Sequence, residues 1–175
     1  MEKRSVEIII RRFNESGARY VVVGGVAVAA HGYVRFTADL DLMLDLGDEE
    51  NVRLAIQILK DEGFVPRIPV AIEAFADTAM RESWVRDKNM LAYGLDSDKH
   101  PMTHVDLFAH NVLDFKGTFN DAERIELFAD LPVVVISLEG LIYLKELAGR
   151  AQDKLDIEKL RLLQKAKQEA KHELD

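Results

Sequence analysis

Apolar residues recur along this chain with two periods, and the switches between them mark out its elements. Residues Val6–Asn14 carry Ile9, Ile10 and Phe13 at helical spacing and stop near Gly17, so a helix is expected there. Tyr20-Val21-Val22-Val23 is a continuous apolar, β-branched run, the signature of a buried strand. Gly24-Gly25 breaks it, and the small residues Val26–His31 predict a short helix closed by Gly32. Asp39–Leu46 alternates polar and apolar almost throughout, which predicts a strand with Leu40, Leu42 and Leu44 inward. Gly47-Asp48 caps a helix to about Lys60, with Val52, Ala55, Ile56 and Leu59 on its buried face. Phe64-Val65-Pro66 reads as an edge strand, because Pro66 has no N–H for a ladder.

Val70–Val85 reads mostly as helix, and further strands are expected at Met90–Tyr93, Thr103–Phe108, Glu123–Phe128 and Pro132–Ile136. Ser137 opens a helix to about Ala148, and another runs from Asp153 to the C-terminus. The charged end of that helix, Lys165–Asp175, is expected to fray or to pack on a partner. The order β-α-β-α, then strands, then helices, implies an α+β fold: a mixed sheet with helices packed on it and a C-terminal helical segment. One domain over 1–175 is expected, with a core at about 17–136 and C-terminal helices at about 137–175.

Composition narrows the chemistry. The chain has 175 residues and no cysteine, which removes disulfides, thiolate metal sites and cysteine nucleophiles. Its formal charge of −8 repels polyanions at long range, so avid binding of duplex DNA is not expected and any phosphate must be held locally. No apolar run is long enough for a membrane span. Met1–Ser5 leads into a helical pattern without a signal-peptide cleavage region, so the cytoplasm is the expected compartment.

Candidate chemistry concentrates between residues 24 and 41. A strand running into Gly24-Gly25 and then a helix offers backbone N–H groups to an anion, although such a pair is more often a tight turn. Asp39 and Asp41 are two apart on a strand and share a face. Adjacent carboxylates repel unless a cation joins them, and hard divalent ions favour such oxygens. The bland alternative is a wet acidic face, which Asp45 on the same side supports. Asp106 lies between Val105 and Leu107 in another predicted strand, where Asp is disfavoured. If the two strands are neighbours, the three carboxylates share one site. His100, His104 and His110 flank Asp106 but lack the tight spacing of zinc ligands.

Together these residues resemble the nucleotidyltransferase superfamily, whose pattern is a hydrophobic residue with Gly-Gly or Gly-Ser, a spacer, D-x-D or D-x-E, and later an acidic residue between hydrophobic ones. Here these are Val23-Gly24-Gly25, thirteen residues, Asp39-Leu40-Asp41, and Val105-Asp106-Leu107. Within the superfamily the chain looks most like the AbiEii-type branch of toxin–antitoxin systems. That branch shows G-G-x-A, H-G-x-x-R-x-T-x-D-x-D, and a late K followed by R-x-x-D-x-x-D. These match Gly24–Ala27, His31–Asp41, and Lys145 with Arg150, Asp153 and Asp156.

The resemblance implies a Mg²⁺-dependent (or Mn²⁺-dependent) transfer of NMP from an NTP, with Asp39, Asp41 and Asp106 holding metal and Asp106 helping to deprotonate the acceptor. It implies that Gly24 and Gly25 contact the triphosphate, that Arg35, Thr37 and Arg150 line the nucleotide site, and that Lys145 and Asp153 take part in catalysis. Asp153 would orient Lys145 or act as a base. The late charges admit another account, a solvated helix face joined by its own ion pairs. The implied acceptor is a tRNA, a protein or a small molecule, and a toxin role would add an antitoxin partner. The other readings are an antibiotic nucleotidyltransferase and a non-catalytic nucleotide-binding or interaction module on the same fold.

Overall fold

The computed structural model describes residues 1–172. Residues 173–175, the tip of the charged segment expected to fray or dock, lie outside the described residues. The chain forms helix α1 (Lys3–Ser16), strand β1 (Tyr20–Val22), α2 (Gly24–Ala30), β2 (Asp39–Leu44), α3 (Glu49–Asp61) and β3 (Phe64–Pro66). A 3₁₀ turn (Ile72–Ala76), α4 (Thr78–Lys88), β4 (Ala92–Ser97), β5 (His104–Phe108), α5 (Phe115–Asp121), β6 (Glu123–Phe128) and β7 (Leu131–Val135) follow. Helices α6 (Leu138–Ala148) and α7 (Ala151–His172) end the described chain.

The strands make one mixed sheet in the order β3-β4-β5-β2-β1-β7-β6. Its parallel pairs are β2 with β5 and β1 with β7. β1 lies inside the sheet and is buried along its whole length, as its unbroken apolar run requires. β3 is an edge strand, as Pro66 demands. Leu40, Leu42 and Leu44 are fully buried, so the alternation in β2 places its leucines in the core. Each contributes about 1.5–3 kcal/mol of burial. α1 packs with α3, while α6 packs against α2 and α7.

Three expectations need correction, and one helix was not foreseen. The acidic face of β2 is not wet throughout: Met43 is buried, and Asp45 lies past the strand end, buried, 3.2 Å from Arg19. The strand expected at Met90–Tyr93 runs from Ala92 to Ser97, because pairing with β3 and β5 carries it through Gly94 and Asp96, residues disfavoured in strands. The stretch Val70–Val85 is split where Asp77 ends the 3₁₀ turn and caps α4, accepting from Met80 N–H at 3.0 Å. α5 was not anticipated; it is a short helix capped by Asp114, which accepts from Gly117 N–H at 2.7 Å.

Candidate active site

β2 and β5 lie side by side in register, with Asp39 opposite His104 and Asp41 opposite Asp106. Opposed residues on neighbouring strands point to the same face, so these four side chains share one side of the sheet. β4 continues the row, placing Gly94 opposite Asp106. Arg67, just past β3, donates its N–H to Gly94 O at 3.0 Å and so joins the same row.

The glycine elbow closes against this row from β1. Gly24 has φ +61°, and a Cβ there would overlap the Asp41 carboxylate. A Cβ on Gly25 would overlap the Thr37 side chain. The extended segment between α2 and β2 alternates, with Val34 and Phe36 outward and Arg35 and Thr37 toward the cleft.

The opposite wall comes from the C-terminal helices. Gly149, at φ +63°, ends α6 and turns the chain into α7. Lys145 on α6 therefore meets Asp153 and Asp156 on α7 across the turn between the two helices. Lys145 Nζ lies 3.0 Å from Asp153 and 2.7 Å from Asp156. Arg35 donates two hydrogen bonds of 2.8 Å to the Asp156 carboxylate, and Arg150 donates to Asp153 at 2.6 Å. Lys145, Asp153 and Asp156 are all buried. The charges pair with one another, but in a buried network that joins α6, α7 and Arg35 rather than on the solvated helix face considered from the sequence.

Gly24, Gly25, Arg35, Thr37, Asp39, Asp41, Asp106, Lys145, Arg150 and Asp153 all line one cleft of about 580 Å³, while Asp156 lies behind its wall. A larger cleft, about 840 Å³, opens beyond the other end of β2 around Arg19, Asp45 and Arg81, and the ten residues of the first cleft do not line it.

The two walls differ electrically. Burial pushes the Asp41 carboxyl up to about 7, and the neighbouring Asp106 and Asp39 push the same way against the Gly25 backbone N–H and Arg150. Asp106 is also raised, first by burial, with Arg67 opposing. On the helical wall burial would raise Asp153 and Asp156, yet hydrogen bonds from Arg150 and Lys145 to the first, and from Arg35, Lys145 and Gln152 to the second, hold both below the usual carboxylate range.

The expectation of a ready-made three-carboxylate metal site needs qualification. Among the described residues, no group of three or more His, Asp or Glu side chains is gathered to hold a metal ion. A guanidinium stands among the carboxylates: Arg67 is 3.0 Å from Asp96, 3.3 Å from Asp106 and 3.9 Å from Asp39. The donor set still suits a hard cation. Asp106 Oδ1 is buried and accepts no hydrogen bond from the described residues, and Asp41 is disfavoured as an anion by burial and by the neighbouring Asp106 and Asp39. The histidines do not gather. His100 contacts Ser5 Oγ at 2.9 Å, His104 contacts Asp96 at 2.6 Å, and His110 lines the other cleft.

Sequence reasoning missed Arg67 and Asp96. Neither belongs to a spaced motif, and only the β3–β4–β5 pairing brings them to the site.

No family model matches the sequence, and no curated protein matches it significantly. Solved structures do. The lincosamide antibiotic adenylyltransferase LnuA, solved with lincomycin bound, superposes with a TM-score of 0.62 at 17% identity over 93% of this chain and 98% of its own. ANT(2″)-Ia in complex with adenylyl-2″-tobramycin gives 0.56 at 14% identity over 93% and 94%. The solution structure of the antibiotic-resistance factor ANT(2″)-Ia gives 0.54 at 14% identity over 97% and 92%. The chain shares the fold of these structures. In this fold the sheet and the C-terminal helices face each other across the cleft. These neighbours are antibiotic nucleotidyltransferases rather than toxins of the AbiEii type. Among the described residues no helix is long and apolar enough to cross a membrane.

Proposed function

We propose that this chain moves NMP from an NTP to a hydroxyl of a small-molecule acceptor. The observation that carries the reading is the parallel register of β2 and β5, which sets Asp106 beside Asp41 against the Gly24-Gly25 elbow. Asp39, Asp41 and Asp106 would hold Mg²⁺ or Mn²⁺, which would neutralise triphosphate charge and polarise the α-phosphate. Gly24 and Gly25, lacking a Cβ, let Asp41 and Thr37 close against the elbow, and its backbone at the start of α2 would contact the triphosphate in the same cleft. Asp106, with its raised proton affinity, takes the proton from the acceptor hydroxyl. The freed oxygen bonds to the α-phosphorus, and the bond from that phosphorus to the bridging oxygen breaks as pyrophosphate leaves. Lys145 and Arg150, anchored by Asp153, place positive charge across the cleft from the carboxylates.

Support for a small acceptor over the toxin reading comes from the neighbours: their names specify lincosamide and tobramycin chemistry, and the likeness runs over nearly their whole length. The test is incubation with each α-labelled NTP, Mg²⁺ and separate acceptors: lincosamides, aminoglycosides, tRNA and protein. Label on a small molecule, lost in Asp39→Asn and Asp41→Asn, is expected. Label that goes to tRNA or protein, or that survives both substitutions, overturns the reading.

A further inference from the structure

Arg67 occupies a place that nothing in the motif accounts for. It follows the edge strand β3, and its N–H extends the ladder to Gly94. From there its guanidinium passes over Gly94 and reaches the carboxylates of Asp96, Asp106 and Asp39. Gly94 provides the slot: a Cβ at that position would come within 2.8 Å of Arg67 Nη1 and 3.1 Å of its Cζ. The backbone at Gly94 is not left-handed, so room for this arginine is what the missing side chain supplies. Arg67 thus brings a single positive charge to Asp39, Asp96 and Asp106 together, in the row that also contains Asp41.

The contact with Asp106 is incomplete. Nη1 stands 3.3 Å from Oδ1, yet that oxygen accepts no hydrogen bond. A buried carboxylate oxygen without a hydrogen bond is therefore neighboured by a cation that does not satisfy it. We infer that Arg67 is an intramolecular competitor of the divalent ion: it partly neutralises the carboxylate row when metal is absent and must leave Asp106 Oδ1 when metal binds. The inference rests on the metal-site reading above. Both cations use the same oxygen, and a guanidinium carries half the charge of Mg²⁺ with a spread that suits carboxylate forks rather than a compact oxygen cage. Arg67 thereby sets how much metal the protein needs before its site assembles.

Titration of the intact chain with Mn²⁺ in the absence of nucleotide, followed by calorimetry, tests this. Arg67→Gln is expected to bind Mn²⁺ about fivefold more tightly than the wild type. Gly94→Ala keeps the charge but lifts the guanidinium from its slot, and is expected to shift affinity the same way. Asp41→Asn is expected to lose the binding. If Arg67→Gln tightens binding and Gly94→Ala does not, bulk repulsion accounts for the effect and competition for Oδ1 is overturned. Unchanged or weaker Mn²⁺ binding in Arg67→Gln, with ATP binding impaired, overturns it in favour of an arginine that holds the triphosphate. Mn²⁺ binding that survives Asp41→Asn overturns the metal reading itself, and the competition with it.

Discussion

On the helical wall of the cleft, Asp156 receives two hydrogen bonds from Arg35 and a 2.7 Å contact from Lys145, and Asp153 receives Lys145 and Arg150. On the sheet wall, Asp106 Oδ1 is buried without a hydrogen bond and Asp41 is pushed up to about 7. The same side-chain types are thus completed in one region and left short of positive charge in the other. A completed buried ion network fixes geometry, here the approach of α6, α7 and the 32–38 segment. A deficient one raises the free energy of the protein alone and lowers it when a cation arrives. Under the proposed transfer, the helical wall is the clamp and the sheet wall the place of reaction.

The largest expected effect lies on the sheet wall and has opposite signs in two assays. If the proposed metal site is right, Asp41→Asn should lower transfer activity by roughly 10³-fold, because one of its ligands is gone. The same substitution should raise the thermal midpoint of the metal-free protein, because a destabilised carboxylate is removed. Activity within about tenfold of the wild type, or a lowered metal-free midpoint, would break the distinction between the walls.

On the helical wall the effect is on folding. Asp156→Ala leaves Lys145 and Arg35 facing each other across a buried site without their shared anion, and should cost about 3–5 kcal/mol by urea unfolding. Asp106→Ala, measured without metal, should cost far less. Equal losses at the two positions would show that both walls are structural.

The elements whose patterns are local were legible before any coordinates. β1 is a run of valines bounded by Gly24, and β2 alternates, so their identity and the facing of Asp39 and Asp41 follow from period alone. The spacing of Asp106 after them said nothing about distance; only the family likeness suggested that β5 lies beside β2. Arg67 and Asp96 were invisible for a related reason. Their place depends on the antiparallel pairing of β3 with β4 and of β4 with β5, and β4 contains Gly94, which reads in sequence as a break. That glycine is held in the strand by its pairing with Asp106, and its missing side chain makes room for Arg67, two contacts that exist only once the sheet has formed. The division of Lys145 from Asp153 by Gly149 was legible as a helix stop, and pairing of their charges was one reading left open, but their burial was not legible.

Acidity should act on the two walls in opposite directions. Asp41 has its folded pKa raised from 3.8 to about 7, so its contribution to stability is complete below the unfolded value and is lost as pH rises through about 7. Asp153 and Asp156 have lowered pKa values, so their contribution is present above the unfolded value and is lost as pH falls through the folded one. Between pH 5 and 8 the metal-free wild type should therefore lose about 1–3 kcal/mol relative to Asp41→Asn, measured as the difference between two denaturation series. Saturating Mn²⁺ should flatten that slope. A slope that persists in Asp41→Asn belongs to some other group.

Arg35 lies on the boundary between the walls and gives the finest test. Its side chain lines the cleft, which fits a nucleotide contact, while Nε and Nη2 are held by Asp156 and Nη1 donates to Phe36 O at 2.9 Å. Those bonds fasten the extended segment that presses Thr37 against Gly25. Lysine keeps the charge but cannot form the planar fork, so Arg35→Lys separates charge from geometry. If Arg35 is part of the clamp, the substitution should cost about 1 kcal/mol of stability and reduce kcat through a loosened Thr37 segment, with ATP affinity nearly unchanged. Weaker ATP binding at full stability would instead move Arg35 to the reactive side, and would mean that the completed network shares a residue with the nucleotide.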